Sequence, residues 1–142
     1  MRILVYSLIT LAIFAFQSTF VAIFSMSAVK PDIPLVFVLC IALLKGETAG
    51  GFSGLINGII DDAMYGSFFG LSALAKFFSG YISGYITRNV YKGPVIITMV
   101  TIFSGSMIYN LLLVLLGFVT GTILNPWYCF VPIALPSAIF NM

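Results

Sequence analysis

The run PVIITMVTIFSGSMIYNLLLVLLGFV, residues 94–119, holds 26 positions without a charged side chain and opens on a proline. An α-helix rises 1.5 Å per residue, so about 20 apolar residues cross the roughly 30 Å hydrocarbon layer of a bilayer. This run is long enough to do so, and proline suits the first turn of a helix. The rest of the 142-residue chain follows the same pattern: 7% of its residues are charged and 61% are hydrophobic. An average soluble domain is about 25% charged, so the chain lacks the polar side chains to face water over its whole surface. Its mean hydropathy of +1.18 points to lipid as the main solvent.

Working outward from residues 94–119, further apolar segments cover residues 3–24, 33–45, 48–61 and 70–87, and a sixth begins over 136–142. Residues 3–24 exceed the apolar core of a signal peptide and no small-x-small cleavage site closes them, so a retained membrane helix is expected. Lys30-Pro31-Asp32-Ile33-Pro34 breaks the chain twice before the short second segment, because each proline removes a backbone donor. That second helix is expected to be short or sheltered by its neighbours. Asp61-Asp62 marks the expected end of the third segment, and the final residues read as a sixth helix that breaks off. The expectation is one all-α polytopic domain of six helices, the last incomplete.

Cationic residues favour the cytoplasmic side of membrane proteins. With the N-terminus inside, Arg2, Lys45, Arg88 and Lys92 fall there, Lys30 falls outside, and Lys76 lies within a span. The acidic pair then sits at the outer end of the third helix.

The chain has no histidine, which removes the commonest general base, metal ligand and physiological-pH switch. Gly51-Phe52-Ser53-Gly54 matches the GxSG pattern of rhomboid proteases, but that chemistry needs a histidine base. Asp61 and Asp62 diverge by about 100° on a helix and cannot share a proton as a dyad. Cys40 and Cys129 form no metal spacing, and a net charge of +2 without a basic run does not suit nucleic acid. No enzyme activity and no cofactor are expected.

Two constellations remain. Gly50, Gly54, Gly58 and Asp62 recur at a spacing of four along one face of the third span, and the fourth carries Gly80 and Gly84. Such small-residue seams let helices approach closely in lipid. They serve either the chain's own packing or a partner helix. Lys76 is an intramembrane charge, for which an ion pair with Asp62 at the outer end is geometrically available. Asp62 is also placed to cap the turn at Gly70. Asn57, Tyr109 and Asn110 are expected to make interhelical hydrogen bonds.

The order of these features resembles the rod shape-determining protein MreD family. The resemblance rests on Pro31-Asp32 opening the second span, Lys45 closing it, and Gly54-xxx-Gly58-xxx-Asp62 followed by Gly70 and Ser72-Ala73-Leu74. Leu135-Pro136-Ser137-Ala138-Ile139-Phe140-Asn141 is similar to that family's entry into its last helix. Lys76 and Asp61 match nothing in the pattern. The resemblance implies a non-enzymatic scaffold of the bacterial inner membrane, multi-pass, that serves cell elongation, cell shape and peptidoglycan synthesis. Its implied partner is MreC, which has one membrane helix, within a wider elongasome of MreB, RodA and a class B penicillin-binding protein. It also implies a six-helix fold similar to the S-components of energy-coupling-factor transporters. That kinship supplies the alternative, a membrane protein binding a vitamin or other small molecule, which would need a polar outer pocket and an Ala-xxx-Ala seam on the first helix; the nearest match is Ser18-xxx-Ala22.

Overall fold

A computed structural model describes residues 2–23, 32–65, 69–89, 95–121, 136–139 and 141. Among the described residues every regular element is helical: α1 (Arg2–Ile23), α2 (Ile33–Lys45), α3 (Glu47–Tyr65), α4 (Leu71–Ile86) and α5 (Val95–Val119). A 3-10 turn, Thr87–Asn89, follows α4, and residues 136–139 and 141 are also helical. Among these, α5 is the helix long and apolar enough to cross a membrane, while Leu8–Thr19 and Ile33–Lys45 are shorter apolar stretches.

Local chemistry explains the boundaries. Asp32 caps α2 by accepting from the Leu35 N–H at 2.9 Å, and Pro34 sits in the first turn, where no intrahelical donor is lost. Gly46 at φ +94° makes the tight reversal from α2 into α3, a backbone conformation that side chains other than glycine resist. The third helix departs from the sequence expectation. It continues past residue 61 to Tyr65, because Asp61 and Asp62 find partners inside the protein and do not mark an exit to water.

The short α2 is the centre of the fold. Leu35, Val38, Leu39 and Ala42 are fully buried, and the helix packs against α1, α3, α4 and α5. Sheltering by neighbours therefore accounts for its modest length. Helix α5 closes on α2 and α4 at Gly105, where a Cβ would collide with the Leu39 side chain and meet Ser83 Oγ at 2.8 Å. The sequence reading did not single out Gly105.

Glycines join α3 to α4. A Cβ on Gly50 would lie 2.7 Å from the Gly80 carbonyl oxygen, one on Gly54 would strike the Lys76 carbonyl, and one on Gly58 the Ala73 backbone. Gly84 likewise faces the Glu47 backbone at 2.6 Å. Gly50, Gly54, Gly58, Gly80 and Gly84 thus form one antiparallel seam that the chain fills by itself. Gly70 does not belong to it: at φ +102°, with open space where a Cβ would go, it is the turn residue before α4.

Polarity is distributed the reverse of a water-soluble core. Large apolar side chains point outward on all five helices, among them Leu11, Leu44, Phe52, Phe78 and Val100, each at least 45% exposed. Asn57, Lys76, Ser79, Ser83, Thr101 and Ser106 are buried.

Candidate functional site

Six stretches of the chain meet in one polar cluster. The fourth helix carries Lys76, whose side chain is fully buried. Its ammonium group has three N–H donors and no acceptor. It donates to Asp32 Oδ1 at 3.1 Å and to Asp61 Oδ2 in a short contact. Above it, the Tyr109 ring of α5 lies 5.6 Å from Nζ, within cation–π range. Two carboxylates and one aromatic face therefore replace the water that burial removes. Without such partners a buried ammonium would cost several kcal/mol.

The expected Asp62–Lys76 pair is corrected by this geometry. Asp62 faces α4 along the glycine seam, and its carboxylate accepts from the N–H groups of Gly70 (2.9 Å), Ser72 (3.1 Å) and Ala73 (3.1 Å). It thereby satisfies donors that the first turn of a helix cannot pair internally, at the positive end of the helix dipole. Capping, the other role open to Asp62, is the observed one. Asp61, about 100° around α3 from Asp62, reaches the lysine instead.

The cluster extends to both ends of the sequence. The Asp32 N–H donates to Asn141 Oδ1 at 2.9 Å, and Asn141 Nδ2 donates to Ser106 Oγ of α5 at 3.2 Å. The Ile33 N–H donates to Gln17 Oε1 of α1 at 3.3 Å. Close by, Asn110 Nδ2 donates both to the Ser106 carbonyl and to Ser137 Oγ, each at 2.9 Å. Asp32 and Asn141, 109 positions apart, are in direct contact. Pro136 is half-buried at the start of the last helical stretch; Pro31, Cys129 and the pair Trp127-Tyr128 lie outside the described residues.

Sequence reasoning singled out Asp32 only as part of a turn and did not foresee it as a partner of Lys76. It passed over Gln17 and Ser106 altogether. The available signal was topological: an intramembrane lysine needs a counter-charge, and alternating spans bring Asp32 to the same end as Asp61 and Asp62. At the opposite end, the Lys45 ammonium lies 4.1 Å from the Tyr6 ring centre, and exposed Arg88 reaches Glu47 at 3.4 Å.

Chemically, the cluster holds charges in place. Lys76 is enclosed, while the Asp32 and Asp61 side chains retain 22% and 17% of their exposure, so carboxylate is the face it presents outward. Among the described residues no group of three or more His, Cys, Asp or Glu is placed to hold a metal ion.

Among the described residues, fold and site together define an all-helical protein with apolar exterior faces, an interior of apolar and polar side chains, and one helix able to span a bilayer. No protein-family model, curated protein or solved structure matches the chain.

Proposed function

We propose that this chain is a multi-pass scaffold of the bacterial inner membrane, of the MreD type, that holds MreC for the cell-elongation machinery and performs no catalysis itself. One observation carries the reading. Four of the residues that suggested the resemblance, Asp32, Asp62, Gly70 and Asn141, lie at separate points of the sequence yet gather at one end of the fold, while Lys45 lies at the other. Asp32 bonds Asn141, Asp62 caps the turn at Gly70, and the glycine face between them fixes α3 against α4. Such convergence is what a pattern has when its parts serve one structure.

Two further features support a membrane setting with the N-terminus inside. Outward-facing apolar side chains on α1, α3, α4 and α5 suit lipid, whereas water would penalise them at roughly 25 cal/mol per Å². Lys45 and Arg88 share one end, with the start of α1 beside them through Tyr6, as the cytoplasmic bias of cations requires. A fold kinship with energy-coupling-factor S-components belongs to the same proposal. Against the small-molecule binder stands the character of the larger cavity. Its roughly 570 Å³ are lined mainly by apolar residues such as Leu11, Phe14, Ile60 and Met64, with the hydroxyls of Tyr6, Thr10 and Ser18 and no charged side chain among the described lining residues.

Co-expression of the tagged full chain with MreC of the same genome, followed by purification from mild detergent, tests the reading. MreC is expected to co-purify in a fixed ratio, with MreB, RodA and a class B penicillin-binding protein as substoichiometric companions. Recovery of a transporter ATPase module without MreC would replace this reading with the binder.

A further inference from the structure

At the end of the fold opposite the Lys76 cluster, one cation has no acidic partner. Lys45 closes α2 and is exposed; its ammonium rests 4.1 Å from the centre of the Tyr6 ring of α1. The nearest acid in sequence, Glu47, is taken by Arg88 at 3.4 Å, and among the described residues Lys45 makes no ion pair. The carbonyl end of α2 offers it about half an elementary charge, which leaves the ammonium able to hold an anion as well. The Tyr6 contact keeps that ammonium at the junction of α1 and α2.

Beneath it lies a cavity of about 290 Å³ between α1, α2 and α3. Phe37, Ile41 and Lys45 line it at a spacing of four, so it follows one face of α2 inward from the charge. Eight residues at 1.5 Å each make this path about 12 Å, close to the half of the roughly 30 Å hydrocarbon layer that one leaflet fills. The polar groups of the wall spend their donors inside the protein. Thr10 Oγ1 donates to the Tyr6 carbonyl at 2.8 Å, Ser53 Oγ to the Gly50 carbonyl at 3.0 Å and Asn57 Nδ2 to the Ser53 carbonyl at 2.8 Å. Lys45 is the charged residue among those that line the cavity. A single positive charge at the mouth of an apolar path one leaflet deep is complementary to an amphiphile with an anionic head. A soluble anion would match the charge and leave the path unfilled.

We infer that this cavity is a site for one anionic phospholipid of the cytoplasmic leaflet, with the lipid phosphate on the Lys45 ammonium beside Tyr6 and one acyl chain laid along Ile41 and Phe37. Basic pockets between membrane helices on the cytoplasmic side take anionic headgroups in this way, and a tyrosine suits headgroup depth. The inference rests on the membrane setting and orientation of the proposed function, and it is independent of MreC. It gives Lys45 a role besides setting topology: its charge selects which lipid lies against α1 and α2.

The test is native mass spectrometry of the full chain, purified in mild detergent and offered phosphatidylglycerol and phosphatidylcholine with identical acyl chains in equal amounts. One phosphatidylglycerol per chain is expected to be retained over phosphatidylcholine by about fivefold, the factor that one lysine contributes near an anionic surface. Lys45→Gln, at an exposed position, should fold as the parent does and lose that preference. The double variant Glu47→Gln, Arg88→Gln removes one acid and one cation from the same end without altering the cavity wall and should keep it. Ile41→Trp fills the path and should lower retention of both lipids. Equal retention of the two lipids by the parent, an unchanged preference in Lys45→Gln, or an equal loss in the double variant overturns the headgroup site. Unchanged retention in Ile41→Trp overturns the acyl path. All of these leave the scaffold reading standing. A chain that retains neither lipid and stays monodisperse without detergent overturns the membrane reading as well.

Discussion

Replacing Lys76 by methionine keeps the length and apolar stem of the side chain and deletes only its charge. In the native cluster that charge sits between Asp32 and Asp61 with no exposure of its own. Lys76→Met would leave two carboxylates facing each other at the same pocket, each with about a fifth of its surface still open. Breaking a fully buried ion pair by removing one partner costs about 3–5 kcal/mol. Because both aspartates retain contact with the surroundings, the low end applies, about 3 kcal/mol. The triple variant Lys76→Met, Asp32→Asn, Asp61→Asn removes the stranded charges as well. Exchange of a whole buried ionic set for neutral groups is often neutral or stabilising, so the triple variant should regain most of what the single one loses. Helical circular dichroism during titration of the detergent-purified protein with sodium dodecyl sulfate reads the difference as a shift of midpoint. Pairing each aspartate with Lys76 in a double-mutant cycle ranks the partners. Asp61 and Asp32 should couple to Lys76 by more than about 0.5 kcal/mol and Asp62 by less. A Lys76→Met variant within about 0.5 kcal/mol of the parent, or a triple variant no more stable than the single one, would refute the cluster as a stabilising device.

Removal of the α4 cap by Asp62→Ala strands the N–H groups of Gly70, Ser72 and Ala73. A loss of about 1–2 kcal/mol is expected in the same titration, with Asp62→Asn losing less because one acceptor oxygen remains. Gly58→Leu drives a side chain into the Ala73 backbone, so the protein should fail to run as a monodisperse species on size-exclusion chromatography; a folded, monodisperse variant would refute the seam as the chain's own packing. Asn141→Ala unties both the α2 N-terminus and Ser106 and should cost about 1–2 kcal/mol. A further Ser106→Ala change should add less than it does alone, because the two share a bond.

Much of the helical layout was legible because it depends on local chemistry. Asp32, Pro34 and Gly46 bracket α2 through capping and turn geometry, and the expected 33–45 coincides with the helix. A spacing of four placed the glycines on one face, and that face is the one buried against α4. The choice between own packing and partner was not legible, since a seam looks the same whichever helix fills it. Periodicity also could not say which of two adjacent aspartates reaches a lysine fifteen residues away. That outcome depends on a rotation of about 100° per residue relative to α4, and on where the α4 N-terminus offers free N–H groups. Residue 61 was taken as the end of α3 for a related reason. Charges usually end an apolar segment, but here both are consumed inside the fold. The contact of Asp32 with Asn141 lies beyond any local rule.

In the membrane setting proposed for this chain, lipid changes what holds the helices together. Apolar side chains gain little from leaving lipid for a helix interface, so close packing and polar contacts carry the specificity. The division of labour here follows from that. Glycines bring α3 and α4 into backbone contact, a strong but generic interaction. The Lys76 cluster then decides which helix ends belong together, because a buried ammonium tolerates only those arrangements that supply its partners. Through Asp32, Asp61, Tyr109, Asn141 and Gln17 it engages or adjoins every described helix. Among the ties of the first helix are Gln17 to the start of α2 and Tyr6 beneath Lys45, and its principal neighbour among the described helices is α2. A scaffold of the proposed kind needs a core whose register is fixed by charge, because only a fixed register presents the same outer face to a partner every time.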